Sequence, residues 1–260
     1  MSEMRLPMQV RPARFKDGER VFEVPKSMVE KSDEMFLGLQ LVCNRRLFGD
    51  CFRSLMPEYF ASMGRDSGVM IRGFVPSDKV LPEMTFPGDI DLLIIPYEGD
   101  ELIVSQTLAI ELKAVRATYA KQGKSPNQYG FSQATAMLER GFPFAAVGHL
   151  IVSDSSPEDK WRTMLATRVI DAKADTVEKP WAVVWDMLPS DLIHRCFRRL
   201  EVNSKQPLLG LFAAYMGNNE TWSPNGKAAE RNPKASVQTM EAIARYYYAN
   251  ANSFFDTPRY

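Results

Sequence analysis

The sequence predicts an α/β protein with a mixed central β-sheet flanked by helices. Three patterns carry that expectation. Two apolar runs, residues 92–95 and 102–110, are joined by the polar turn Glu98-Gly99-Asp100-Glu101, the pattern of two adjacent strands. Residues 144–152 (FAAVGHLIV) are almost wholly apolar, as a strand covered on both faces must be. Segments of helical period lie before, between and after these strands, near residues 27–48, 127–139 and 234–250. A chain of 260 residues suffices for one large domain, or one domain with an added lobe.

Residues 1–25 carry mixed charge and three prolines, Pro7, Pro12 and Pro25. They read as a solvated arm or short edge strand, with Arg5, Arg11 and Arg14 available to a partner. Over residues 27–48, Met28, Met35, Leu39 and Val42 recur near helical spacing. Ser27 is the expected N-cap, with Glu30 completing a capping box. Glu34 reads as an exposed helix charge near Lys31. A shorter helix is expected over 50–63, ended by Gly64. Residues 69–74 (VMIRGF) read as a strand, and Pro76, Pro82 and Pro87 make 75–87 a loop.

Beyond the apolar hairpin, a helix is expected over 127–139, stopped by Gly141 and Pro143. His149, inside the apolar run, reads as a buried, hydrogen-bonded histidine. Residues 157–169, with Trp161, read as a helix, and 181–188 as a strand. Residues 190–200 read as a basic helix carrying Arg195, Arg198 and Arg199, turned either to nucleic acid or to solvent. A short apolar piece, 208–216, sits in a loop-rich stretch reaching residue 233. The closing helix at 234–250 has Val237, Met240, Ile243, Ala244 and Tyr247 on its apolar side.

The chemistry concentrates in residues 86–115, FPGDIDLLIIPYEGDELIVSQTLAIELKAV. Asp89 and Asp91 stand at the mouth of the first apolar run, and Glu111-Leu112-Lys113 ends the second. Strand alternation puts Asp89 with Asp91 on one face, and Glu111 with Lys113. Two charged strand ends joined through one turn make a small acidic site with a lysine beside it. Carboxylate oxygens of this kind suit Mg²⁺, which takes few protein ligands and keeps several waters. The hairpin must meet a register condition. A two-residue turn at Gly99-Asp100 pairs residues whose numbers sum to 199, which turns Glu111 away from Asp91. A three-residue loop with Gly99 at its strained position, or a bulge, moves the sum to 200 and sets Asp89 opposite Glu111.

Lysine plus arginine equals aspartate plus glutamate, 32 each. A nucleic-acid binder of this composition must concentrate its positive charge locally. Residues 112–138 do so, with Lys113, Arg116, Lys121 and Lys124 and no acid, a pattern suited to phosphates. Tyr119, Tyr129 and Phe131 are interleaved with them, to stack on unpaired bases or to anchor the loop. Three cysteines with no C-x-x-C pair argue against a disulfide framework or a zinc site. The expected compartment is the cytoplasm: the first residues do not read as a signal peptide, and no apolar run reaches eighteen residues, so no membrane partner is expected.

Pro87-Gly88-Asp89-Ile90-Asp91, followed about twenty residues on by Glu111-Leu112-Lys113, resembles the PD-(D/E)XK nuclease superfamily. The resemblance spans roughly residues 69–153. It implies a restriction-endonuclease-like core (about 27–153) with added N- and C-terminal elements, the latter about 154–260, in a single nuclease-like domain. It also implies a metal-dependent nuclease acting on DNA, with Mg²⁺ or Mn²⁺ held by Asp91, Glu111 and the Leu112 carbonyl. Asp89 is a further ligand or the stand-in for Asp91, since Gly88 separates it from the proline that directly precedes the family's aspartate. Lys113 would orient the attacking water or help deprotonate it. Gln133 matches by position a glutamine that lies near the site or substrate in parts of the superfamily, and Glu34 matches an acid on the preceding helix. Arg116, Lys121, Lys124 and Tyr129 are the expected nucleic-acid contacts, and a homodimer would set two sites on two strands. Asp89-x-Asp91 with Glu111 is also similar to a nucleotidyltransferase metal motif, though the Gly-Ser pair of that family has no counterpart here. Two other readings stand beside these: a nuclease-like fold that only binds, and ordinary surface charges at strand ends.

Overall fold

A computed structural model describes residues 3–12, 23, 25–31, 33–81, 88–217 and 222–259. The elements run β1 (Arg5–Pro7), α1 (Lys26–Glu30), α2 (Glu34–Cys43), α3 (Arg45–Leu55), α4 (Pro57–Ser62), β2 (Ser67–Pro76), α5 (Ser77–Val80), β3 (Asp89–Glu98), β4 (Glu101–Ile103) and β5 (Leu108–Arg116). They continue α6 (Phe131–Glu139), β6 (Phe144–Val152), β7 (Arg162–Ala166), β8 (Val169–Asp171), β9 (Thr176–Val177), β10 (Trp181–Trp185), α7 (Leu188–Asn203), β11 (Gly210–Tyr215), β12 (Asn225–Lys227), α8 (Val237–Asn250) and β13 (Phe255–Pro258). The protein is α/β, as expected: a curled, mixed nine-stranded sheet flanked by helices.

β3 is the hub of the sheet. It pairs antiparallel with β2 along one edge, and with β4 and then β5 along the other. β5 and β6, then β6 and β11, pair in parallel. Parallel strands at a sheet centre must be covered on both sides, and here α2 and α3 cover one face while α6 and α8 cover the other. α7 packs on the α6 side, over Val115, Ile151 and Ala213. The apolar runs at 92–95, 108–112 and 144–151 are almost completely buried. Residues 154–260, read as an extension, add β11, β12 and β13 to the same sheet. Among the described residues, no helix is long and apolar enough to cross a membrane.

Several sequence expectations need correction. The single helix over 27–48 is three helices, α1, α2 and the start of α3. Ser27 is no cap; Asp33 caps α2 through the Met35 N–H, and Asn44 caps α3 through the Leu47 N–H. A side-chain acceptor just before each helix restarts the chain in a new direction. Residues 157–169 are not helical. They form a short 3₁₀ turn and then β7 and β8, because β7 pairs along its whole length with β10. The strand at 181–188 is real but shorter, and it lies outside the central sheet. The apolar piece at 208–216 is β11, a buried sheet strand. Arg14, Pro82 and Pro87 lie outside the described residues.

Gly148 shows how tightly the sheet is covered. It lies between Leu112 on β5 and Phe212 on β11. A Cβ there would come 2.2 Å from the Phe212 ring and 2.9 Å from Leu112. We expect Gly148→Ala to destabilise the fold by about 1–3 kcal/mol, read as a lower midpoint in thermal or denaturant unfolding.

Candidate metal and phosphate site

The hairpin that builds the site does have a two-residue turn. Glu98 pairs with Glu101 around Gly99-Asp100, and Gly99 has a φ of 53°, a left-handed conformation cheap only for glycine. The expected three-residue loop is absent. A 3₁₀ turn at Val104–Gln106 adjusts the register instead. After it, β5 pairs Ile110 with Leu92 and Leu108 with Ile94. One more step along this register sets Glu111 opposite Asp91, and not opposite Asp89 as a three-residue loop or a bulge would.

The β3–β5 ladder stops at Leu92–Ile110, and the Asp91 carboxylate takes over. Its Oδ2 accepts the Leu112 N–H at 2.7 Å. Asp91 is buried and Glu111 fully so. The Lys113 ammonium lies 2.6 Å from Glu111 Oε1 and 3.1 Å from Glu34 Oε1. Glu34 Oε2 also accepts the Ala114 N–H at 3.0 Å. Glu34, in the first turn of α2, is therefore paired to the site and not to Lys31. Sequence pattern alone missed this, because the contact joins residues 79 and 80 positions apart.

Two close approaches frame the acids. Gly130, the left-handed N-cap of α6, lies where a Cβ would meet Glu111 Cγ at 2.7 Å. Only a glycine lets the helix start so near that carboxylate. Phe74, with a φ of 52°, falls in line with Asp91 across the β2–β3 ladder. A left-handed phenylalanine is strained by roughly 1–2 kcal/mol. Its ring packs toward α2, where a Cβ on Gly38 would meet Phe74 Cζ at 2.9 Å and Leu112 Cδ1 at 3.1 Å.

The electrostatics follow from burial. Burial first, and then the Asp91 charge, push the Glu111 pKa above the usual carboxylate range, to about 8. Burial also raises Asp91, to about 6, against the pull of the Leu112 N–H and Lys113. Burial alone would lower the Lys113 pKa, but the close contact with Glu111 and the charges of Glu111 and Glu34 raise it overall. Neither Glu111 oxygen has a well-aligned hydrogen-bond donor among the described residues; the Lys113 contact is close but off-axis. A buried, under-satisfied carboxylate is costly and is the kind of group a cation relieves. No group of three or more His, Cys, Asp or Glu among the described residues could hold a metal ion. Two carboxylates with a main-chain carbonyl and waters still fit Mg²⁺, which needs few protein ligands.

The other expected site residues divide. Asp89 is exposed at the start of β3. Gln133 abuts Gly88, whose Cβ would lie 2.7 Å from Gln133 Nε2, so it borders the site without a described bond to either acid. An open cleft of about 690 Å³ runs from Glu34, Lys113 and Arg116 to Lys124 and Asn127. Arg116 donates to the Lys31 carbonyl at 2.7 Å. Lys121 and Lys124 are exposed. Tyr129 packs flat on Phe131, with ring centres 5.5 Å apart, and lies 5.6 Å from the His149 ring, which makes it a loop anchor. His149 is buried between Cys196 Sγ and the Tyr129 carbonyl, each at 3.3 Å, and burial holds its pKa down to about 4. It is the neutral structural histidine the sequence predicts. Arg195 donates to Gln122 at 2.6 Å and Arg199 to the Lys124 carbonyl at 2.8 Å. α7 thus ties down the basic loop, a role the sequence did not signal.

Comparison of the chain with protein-family models, curated proteins and solved structures gave no significant match.

A carboxyl pKa raised by folding stabilises the protein below the ordinary carboxylate range, and that contribution is lost as pH rises through the raised value. In EDTA, stability should therefore fall from about pH 4, through the loss of the Asp91 contribution by about pH 6, to the loss of the Glu111 contribution by about pH 8, by up to about 1.4 kcal/mol per pH unit for each proton. Mg²⁺ should offset the fall, and an Asp91→Asn, Glu111→Gln double variant should flatten it. Thermal melts across this range check all three outcomes.

Proposed function

We propose that the protein is a metal-dependent nuclease that hydrolyses phosphodiester bonds in DNA. One observation carries the reading: Asp91 and Glu111, both buried, meet at the end of the β3–β5 ladder with the Lys113 ammonium 2.6 Å from Glu111. The Asp-(Glu-x-Lys) set is thus gathered on one face, which strand-end charges with no shared role would not require. Asp91 is favoured over Asp89 as the metal ligand, because Asp91 is the buried acid bonded to Leu112.

Asp91, Glu111 and the Leu112 carbonyl would hold Mg²⁺ or Mn²⁺. A cation held by these residues would supply charge to polarise the phosphate and offset charge building on its oxygens. Lys113, kept protonated by Glu111 and Glu34, acts as a donor that orients a water or a phosphate oxygen, and not as the base. Arg116 and Lys124 line the cleft at the site and, with the exposed Lys121 of the same loop, would supply sequence-independent phosphate contacts.

The test is cleavage of linear and circular DNA, single- and double-stranded, with Mg²⁺, Mn²⁺ or EDTA. Wild type should cut with metal and not with EDTA. Asp91→Asn, Glu111→Gln and Lys113→Ala should each lower the rate at least about 100-fold. Asp89→Asn should lower it less than about 10-fold. Full activity in the Glu111→Gln variant would refute the proposal, as would nucleotide transfer from an NTP without cleavage.

A further inference from the structure

Nine of the fourteen exposed large apolar side chains among the described residues lie within residues 161–185. That stretch is a β-arm outside the central sheet: among the described residues β7 pairs only with β10, and β8 only with β9. Its root is fixed to the body by Arg162 on Asp191, by Trp161 Nε1 donating to the Ser156 carbonyl, and by Trp185 edge-on to Trp222. Leu165 is 76% exposed and Val184 59%. A two-stranded hairpin is marginal alone in water, and a concentration of exposed apolar groups marks a contact surface.

The free edge of β10 identifies what covers it. Edge strands are normally blunted by charge, proline or a bulge, yet β10, Trp-Ala-Val-Val-Trp, has none of these. Its order reads nearly alike in both directions. Paired antiparallel with itself about a two-fold axis through Val183, it sets Trp181 against Trp185 of the second copy and Ala182 against Val184. Val183 then meets its own counterpart. The two cross-strand tryptophan pairs are favourable, and each residue stays on its own face, since Trp181, Val183 and Trp185 share the side of Met164. Charge excludes a phosphate backbone as the occupant. Arg168, Lys173 and Lys179 are balanced by Asp171, Asp175 and Glu178 around the arm tip.

The geometry points to β10 as a homodimerisation strand, joining two arms into one four-stranded ribbon. The contact is small, so a micromolar dimer is expected. This inference stands apart from the nuclease reading, and its test needs no activity.

Sedimentation velocity from roughly 1 to 200 µM, in EDTA, should show wild type passing from monomer to dimer. Val183→Lys and Val183→Asp should each stay monomeric across that range, because like charges meet at the axis. Their equimolar mixture should dimerise again, which a merely unfolded arm could not do. A wild-type monomer at the highest concentration overturns the inference. So does a variant that dimerises as wild type does, or a mixture that stays monomeric.

Discussion

The bond from the Leu112 N–H to the Asp91 carboxylate closes the site end of the molecule. It falls where the β3–β5 ladder stops, so it substitutes for a missing backbone bond and fixes Asp91 beside Glu111. The 3₁₀ turn at Val104–Gln106 makes this alignment available. Without its register change the two acids would face opposite sides of the sheet. The helices then follow. α2 brings Glu34 to Lys113 and Ala114. α6 begins at Gly130, close against Glu111.

The cost of this arrangement is carried openly by the structure. Burial raises the pKa of both carboxylates, and the Asp91 charge raises Glu111 further. Phe74 holds a left-handed backbone in line with Asp91. Strain and unsatisfied polarity of this sort gather at functional sites, because a core built for stability alone would shed them. The surrounding sheet tolerates them because its apolar strands are nearly fully buried on both faces.

Much of the core was legible from residue pattern. The runs at 92–95, 102–110 and 144–152 are too apolar for anything but buried elements, and β6 spans residues 144–152 as read. The acids and lysine were legible because strand alternation is rigid: Glu111 and Lys113 had to share a face. Their exact register was not, because a 3₁₀ turn leaves little mark in sequence. Residues 157–169 were read as helix from local pattern, and only the distant partner of β7, β10, decides otherwise. Glu34, Arg195 and Arg199 were ambiguous for the same reason. Each bonds to a residue more than 70 positions away, and local pattern carries no record of such contacts.

The central claim is that Asp91 and Glu111 are buried together to hold a divalent cation. The most direct measurement is Mn²⁺ binding at pH 8, followed by electron paramagnetic resonance, in wild type and in Glu111→Gln. The account predicts one bound Mn²⁺ per chain in wild type, displaced by excess Mg²⁺, and none in the variant at the same concentrations. Equal binding by both proteins, or no binding by wild type, would contradict it.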